Sequence, residues 1–440
     1  MAAVTPAADD VLVAVRGLKT YFALRGSFRQ RLLGREAGSV RAVDDVTLDI
    51  RRGEVLGLVG ESGSGKTTLG RTLLGLVPAT GGSVQFEGEE ITGMSERELR
   101  RLRRRMQIVF QDPHASLNPA MTIEQSVGHP LEIHRIAKGA ERRRRVAEAL
   151  ETVGLSPPEQ FIDKYPSDLS GGQKQRAVIA RAIILNPMLL VADEPVSMLD
   201  MSVRAKILEL MLNLKHEFGF TYLYITHDLA TAKFFCDRIA ILYLGRIVEM
   251  GPSEAIYRDP KHPYTKALLR AIPEPDPSRS VPRDLPRGEV PDAARPPLGC
   301  SFHPRCPAAF EVCGWESRDL RDLLETRWAQ MTADEYESEQ AVLGDLSALD
   351  AAETAFRLEA PAAQGASDLV GLLDRVRAED PAEPFWRGVR RLASSDRHVD
   401  VELNEPFAPR LLPVNGVQVE CNLFDEAALR QAAALTVAES

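Results

Sequence analysis

Cysteine is scarce in this chain. There are 5 in 440 residues, too few for the disulfide framework of a secreted scaffold, and a reducing compartment would keep them as thiols or metal ligands. Long apolar runs are missing too: nothing approaches the roughly 18 to 20 uninterrupted apolar residues that cross a bilayer. The opening MAAVTPAADD has neither the basic nor the apolar segment of a secretory leader, so the expectation is a protein that stays in the cytoplasm. Positive charge is in deficit. A net charge of −9 gives no general electrostatic reason to bind nucleic acid, which rewards a basic surface. No motif occurs twice, which argues against tandem duplication. What the chain does have is 44% hydrophobic and 27% charged residues over a length suited to two or three domains of about 150 residues each. Disorder as the dominant state is excluded.

Along the chain, residues 1–10 read as a small-residue tail, and Val11, Val13 and Val15 then alternate as in a half-buried strand. From there to about residue 258, apolar strands such as VLGLV (55–59), QIVF (107–110), LLVA (189–192) and YLYIT (222–226) alternate with helical patterns, which favours an α/β fold. Prolines at 273, 275, 277, 282, 286, 291, 296 and 297 mark an extended connector, because proline supplies no backbone donor to a helix or a ladder. Cysteines follow at 300, 306 and 313, then an acidic, Ala/Leu-rich stretch in which Leu320, Leu323, Leu324 and Trp328 fit a helical stripe. Alternation returns at Val417, Val419 and Cys421. Cys236, beside Phe234 and Phe235, reads as a buried core thiol. The arginine runs ELRRLRRR (98–105) and ERRRR (141–145) read as solvated helix faces in preference to phosphate-backbone contacts.

Gly60-Glu61-Ser62-Gly63-Ser64-Gly65-Lys66-Thr67 fits G-x-x-x-x-G-K-[ST], follows the strand VLGLV and precedes a helix marked by Leu69, Leu73 and Leu76. The glycines let successive backbone N–H groups turn inward around phosphate oxygens, and the helix N-terminus adds partial positive charge. In that reading Lys66 reaches the β and γ phosphates, Thr67 ligates Mg²⁺ and Thr68 adds a phosphate donor. A Gly/Ser turn carrying a surface lysine is the bland alternative. Leu189 to Glu194 reads as a buried parallel strand ending in two carboxylates. There Asp193 suits Mg²⁺, and Glu194 suits orienting and deprotonating an attacking water; a turn start after a core strand is the competing reading.

Leu169-Ser170-Gly171-Gly172-Gln173 opens a helical pattern containing Ala177, Ala180 and Ile184, another helix N-terminus suited to an anion, though by itself a capping turn. Together the three motifs resemble the nucleotide-binding subunit of ATP-binding cassette (ABC) transporters. The match spans roughly residues 11–258 and also takes in Tyr21, Gln111 in VFQDP, Ser197-Met198-Leu199-Asp200 and His227 in ITHD. The resemblance implies a P-loop NTPase fold: an α/β RecA-like core, an antiparallel β subdomain, a helical subdomain over about 112–185 and a Cys-containing C-terminal extension. It also implies that Tyr21 stacks on adenine, with Phe22 as the alternative. Gln111 would sense Mg²⁺ and the attacking water, Asp200 would communicate across a dimer and His227 would contact the γ phosphate. Ser170, Gly171, Gly172 and Gln173 of one protomer would close over ATP held by the other. Met198 stands where the family usually has alanine.

VFQDPHASLNPAMTI, EPVSMLDMSVRAKIL and PSEAIYRDPKHPYTKALLRAIP resemble the dipeptide and oligopeptide importer branch, which also includes nickel systems. By that resemblance the chain is an ATPase on the cytoplasmic face of the membrane, peripheral, coupling ATP hydrolysis to peptide uptake. Its implied partners are a second ATPase subunit, identical or homologous, two permeases and, indirectly, an extracytoplasmic binding protein, with no nucleic acid. Nickel or another small solute, or a soluble DNA-repair ATPase, are the alternatives. Cys300, Cys306, Cys313 and Cys421 are four thiols that suit an iron–sulfur cluster or zinc. The branch resemblance favours [4Fe–4S], and free thiols are the competing reading. Residues 259–315 then form the branch's C-terminal region, 316–415 an acidic, mainly helical insertion without an assigned role, and 416–440 the segment with the fourth cysteine.

Overall fold

The runs VLGLV, LLVAD and TYLYIT are buried at every position, as expected of strands covered on both faces. The computed structural model describes residues 10–24, 38–272, 286–350, 353–361 and 365–438. It divides into two units, Met1–Asp259 and Pro260–Ser440. Residues 1–9 of the expected tail and the prolines at 273, 275, 277 and 282 lie outside the described residues.

In the first unit, strands Arg246–Pro252, Arg238–Tyr243, Val55–Val59, Thr221–Thr226, Leu189–Asp193 and Met106–Val109 lie side by side in that order. The last five are mutually parallel. Their carboxyl ends therefore share one edge of the sheet, the edge at which ligands of open α/β sheets bind. A second sheet is antiparallel, in the order Ser39–Arg51, Val11–Ala23, Gly81–Phe86, Glu89–Glu90. Val13 and Val15 face its core, as their alternation predicts, and Val11 is half-buried.

Helices Ile123–Ile133, Gly139–Thr152 and Gly171–Ile183 pack on one another. The arginine run 141–145 is on the second of these and is held by carboxylates: Arg142 to Glu124 at 2.8 Å, Arg143 to Asp163 at 2.7 Å, Arg144 and Arg145 to Glu141 at 2.9 and 2.7 Å. The helix after the glycine-rich loop is Lys66–Leu73. Leu69 and Leu73 are fully buried, whereas Leu76 lies beyond its end and is exposed, so the expected stripe is one residue too long. Cys236 is buried against Gly57, beside buried Phe235; Phe234 points outward.

The second unit adds strands to the mainly helical insertion expected over 316–415. Helices Ser317–Trp328, Ala333–Leu343 and Ala366–Glu379 are present, but so is a three-stranded antiparallel sheet, Ala355–Glu359, His398–Leu403, Val389–Ser394. AFRLE and HVDVEL alternate with period two: Phe356, Leu358, Val399, Val401 and Leu403 are buried, and the helix Ala366–Glu379 packs on this sheet through Leu369, Leu372, Leu373 and Val376. Arg357–Asp400 and Arg390–Glu402 ion pairs, at 2.7 and 2.8 Å, occupy exposed positions of the strands. A hairpin, Leu411–Val414 with Val417–Glu420, precedes Cys421 and a final helix, Glu426–Ala438. Among the described residues no helix is long and apolar enough to cross a membrane.

Candidate functional site

The glycine-rich loop leaves the carboxyl end of Val55–Val59 and is held in a shape only glycine permits at two points. Gly65 has φ +101°, and a Cβ there would stand 1.9 Å from the carbonyl oxygen of Ala42; one on Gly60 would stand 2.1 Å from that of Leu242. The Gly245 N–H donates to Ser64 O at 2.9 Å and pins the loop from outside. Ser62 and Gly63 are exposed, Ser64 is buried and Thr68 is half-buried.

Lys66 is 6% exposed. Its ammonium donates to the carbonyls of Gly60 and Glu61, each at 2.8 Å, so the cation is satisfied by its own loop. Burial lowers its pKa, opposed by the charges of Glu194, Asp193 and Glu61.

Neighbouring strands supply the facing groups. Thr67 Oγ1 donates to Asp193 Oδ1 at 2.9 Å, and burial raises the Asp193 carboxyl above the usual range although that hydrogen bond opposes it. Glu194, at φ +47°, is tied by its N–H to Ile225 O at 3.0 Å. Gln111 Nε2 donates to its Oε2 at 3.0 Å, and His227 Nδ1 lies 3.1 Å from its Oε1. Gln111, Glu194 and His227 each follow the carboxyl end of a different parallel strand. Parallel pairing therefore brings residues far apart in sequence onto one carboxylate. Ser197 Oγ donates to Glu194 O at 3.1 Å, a support the sequence reading did not identify.

Tyr21 lies in the antiparallel sheet, half-buried, with the Arg41 guanidinium 5.9 Å from its ring centre. Its hydroxyl donates to Asp44, and burial, reinforced by that carboxylate, pushes it up to about 12. Asp44 carried no sequence signal. Phe22, its neighbour, is 45% exposed.

Ser170 caps the helix Gly171–Ile183 in a reciprocal box: Gln173 Oε1 accepts from Ser170 N at 2.9 Å, and Ser170 Oγ accepts from Gln173 N at 3.4 Å. Ser170 is exposed, as is Asp200 at the start of the helix Met201–Phe218; Met198 and Met201 flank Asp200, 64% and 84% exposed. The structure thus joins Lys66, Thr67, Asp193, Glu194, Gln111 and His227. Among the described residues no hydrogen bond or ion pair ties Ser170, Gly171, Gly172, Gln173 or Asp200 to them.

Magnesium and a triphosphate fit this arrangement on two observations. A buried cation stands at a loop whose glycines leave backbone N–H groups uncovered, and a hydroxyl and a carboxylate, hard oxygen donors of the kind Mg²⁺ takes, stand side by side.

The four cysteines of the second unit share one electrostatic neighbourhood. Cys300 is pushed up to about 12 by burial and then by Cys421; Cys306, also to about 12, by burial and then by Cys300; Cys313 is raised by burial and by the other three. The N–H of Cys300 donates to Cys313 O at 2.9 Å. Among the described residues, however, no group of three or more His, Cys, Asp or Glu side chains is placed to hold a metal ion. Cys300, Cys306, Cys313 and Cys421 are therefore not arranged here as the ready ligand set expected for [4Fe–4S] or zinc.

The family profile described as ABC transporter matches residues 43–197, and that described as oligopeptide/dipeptide transporter, C-terminal region, matches residues 248–313, ending on Cys313. The chain is 47% identical over 315 residues to a Brucella ovis protein that carries the name of a peptide import ATP-binding protein, covering 72% of this chain and 95% of that one. It is 44% identical over 312 residues to the oligopeptide transport ATP-binding protein AppF of Bacillus subtilis, covering 70% and 93%. A solved structure described as a dimeric post-hydrolysis state of an ATP-binding cassette bound to ADP and Pi is 31% identical, with a TM-score of 0.48 over 55% of this chain and 98% of that one.

Proposed function

The chain belongs to the ABC transporter ATP-binding proteins of the peptide and oligopeptide importers, and we propose that it carries out their ATP hydrolysis with Lys66, Thr67, Asp193, Glu194, Gln111 and His227 as one site. It is the ATP-binding, ATP-hydrolysing subunit of a peptide importer. Nickel import and DNA repair are not favoured, since the relatives are named for peptide and oligopeptide transport. The observation that carries the residue roles is the Glu194 carboxylate, set between Gln111 and His227 and next to the Thr67–Asp193 pair.

In this reading Lys66 gives up its two carbonyls for phosphate oxygens, with the N–H groups of Gly63, Gly65 and Thr67 around them and Thr68 as a further donor. Thr67 and Asp193, with Gln111 alongside, hold Mg²⁺, which supplies charge neutralisation to the phosphates. Glu194 accepts the proton of the attacking water; Gln111 and His227 fix the orientation of its two oxygens, and His227 is free to turn toward the γ phosphate. The Tyr21 ring offers a face to adenine while Asp44 holds its hydroxyl. The cassette works as a dimer on membrane permease subunits. Ser170 and Asp200 are exposed and Gly171, Gly172 and Gln173 half-buried in the single chain, which supports their use against a partner cassette. Attachment is peripheral, at the cytoplasmic face, with substrate delivered by an extracytoplasmic binding protein.

A [4Fe–4S] cluster or zinc on Cys300, Cys306, Cys313 and Cys421 is a separate part of the proposal. The four thiols lie near enough to perturb one another, which supports it; because no three form a ready ligand set among the described residues, no step of the ATP cycle passes through it. Iron, sulfide and zinc analysis of anaerobically purified protein tests it. The hydrolytic reading is tested by Glu194→Gln: ATP affinity is retained and turnover falls by about 10²- to 10⁴-fold, the range of a lost general base. Undiminished turnover would remove Glu194 from the mechanism.

A further inference from the structure

The second unit contains a cleft of about 640 Å³ between the end of the helix Ala366–Glu379, the turn that follows it and the strand Val389–Ser394. Its size falls in the range of small-molecule sites, and apart from Glu311 every residue that lines it lies beyond residue 313, where the family profiles end. We propose that this cleft binds a small organic oxyanion, a carboxylate or phosphate that also carries a hydroxyl or amide.

The charge of the lining sets the first half of that chemistry. Arg377, Arg387, Arg390 and Arg391 face two carboxylates, Glu311 and Glu383. Glu383 is already engaged by Arg287, and Arg390 and Arg391 share Glu402 of the adjacent strand, at 2.8 and 3.8 Å. Arg377 and Arg387 have no carboxylate partner among the described residues; Arg387 donates only to the carbonyl of Ala309 at 3.2 Å. Two exposed guanidinium forks without a carboxylate match the planar, bidentate geometry of an oxyanion.

The wall sets the second half. Trp386 and Asn404 line the cleft and are 6% and 4% exposed. Neither the Trp386 indole N–H nor Asn404 Oδ1 has a hydrogen-bond partner. The amide of Asn404 cannot be turned to remove the deficit: its Nδ2 donates to Arg387 O at 3.3 Å, and a flip would set oxygen against oxygen. Buried polar groups left unmet cost stability and call for a partner. Both atoms are closed to solvent in the cleft as it stands, so an occupant meets them only as the wall gives around it, and a hydroxyl or an amide, which has both a donor and an acceptor, meets them together. The occupant is therefore charged at the arginine rim and neutral but polar at the wall.

The test is calorimetric titration of the full chain, its nucleotide site filled with Mg²⁺ and a non-hydrolysable ATP analogue, against malate, glycerol 3-phosphate and glycerol at up to about 10 mM. Saturable binding of malate, of glycerol 3-phosphate or of both, with none for glycerol, is expected, and the arm that binds identifies the oxyanion. Arg377→Glu with Arg387→Glu, both at exposed positions, weakens that binding at least about tenfold, and Trp386→Phe, which keeps the ring and removes the N–H, about threefold or more. Absence of binding by both anions, equal binding of glycerol, or anion binding unmoved by the arginine double variant would overturn the proposal.

Discussion

The hydroxyl of Thr67 donates to Oδ1 of Asp193 at 2.9 Å across 126 residues of sequence. Paired in this way, the two oxygens need little rearrangement to become ligands of one Mg²⁺. Thr67→Ala and Asp193→Asn should each lower Mg²⁺-dependent turnover about a hundredfold, in keeping with the several kcal/mol of charge stabilisation a metal supplies. Thr67→Ser should keep most of it. Phosphate release measured against Mg²⁺ concentration checks this.

Asp193 gives a second, opposite expectation for stability. Its folded carboxyl titrates above the unfolded value because of burial, so the ionised form costs stability at neutral pH, and the cost is relieved as pH falls through the raised range. Nucleotide-free Asp193→Asn should therefore melt higher than the parent at pH 7, with the gap closing in acid. Thermal melts over a pH series without Mg²⁺ would contradict this if the variant melted lower throughout.

Gln111 and His227 hold the two oxygens of Glu194. Residues that act on one group are not additive. Gln111→Ala and His227→Ala should each reduce turnover at least about tenfold, and the double variant should fall well short of the product of the two. An additive double-mutant cycle would separate them.

For Tyr21 the ring and the hydroxyl have different tasks, since Asp44 holds the hydroxyl. Tyr21→Phe should keep ATP affinity within about threefold, and Tyr21→Ala should weaken it about tenfold, on the scale of an aromatic contact. Equilibrium binding of a fluorescent ATP analogue reads both. Phe22→Ala is the control: an effect there and none at Tyr21 would transfer the stacking role.

Gly65→Ala places a methyl group 1.9 Å from Ala42 O at φ +101°. Strain and overlap together should cost at least about 2 kcal/mol, seen as a lower midpoint in urea unfolding monitored in the first unit. A midpoint equal to the parent's would show that the loop yields easily.

The residue types needed for phosphate and Mg²⁺ chemistry, and the apolar runs before them, are local properties of the chain. For that reason GESGSGKT, LLVADE and their strands were readable before any coordinates. The three-stranded sheet at 355–403 was equally local, but its alternation lay among acidic, Ala/Leu-rich neighbours that read as helix. Strand order was not readable. Only parallel pairing of Val55–Val59, Thr221–Thr226, Leu189–Asp193 and Met106–Val109, in that order in space, sets Gln111, Glu194 and His227 on one carboxylate, because sequence spacing carries no information about which ladders form. Asp44 under Tyr21, the shared neighbourhood of four thiols distant in sequence, and the unmet Trp386 and Asn404 in an arginine-lined cleft were likewise decided in three dimensions. Hydrogen-bond satisfaction and burial belong to the packed chain, not to any stretch of it.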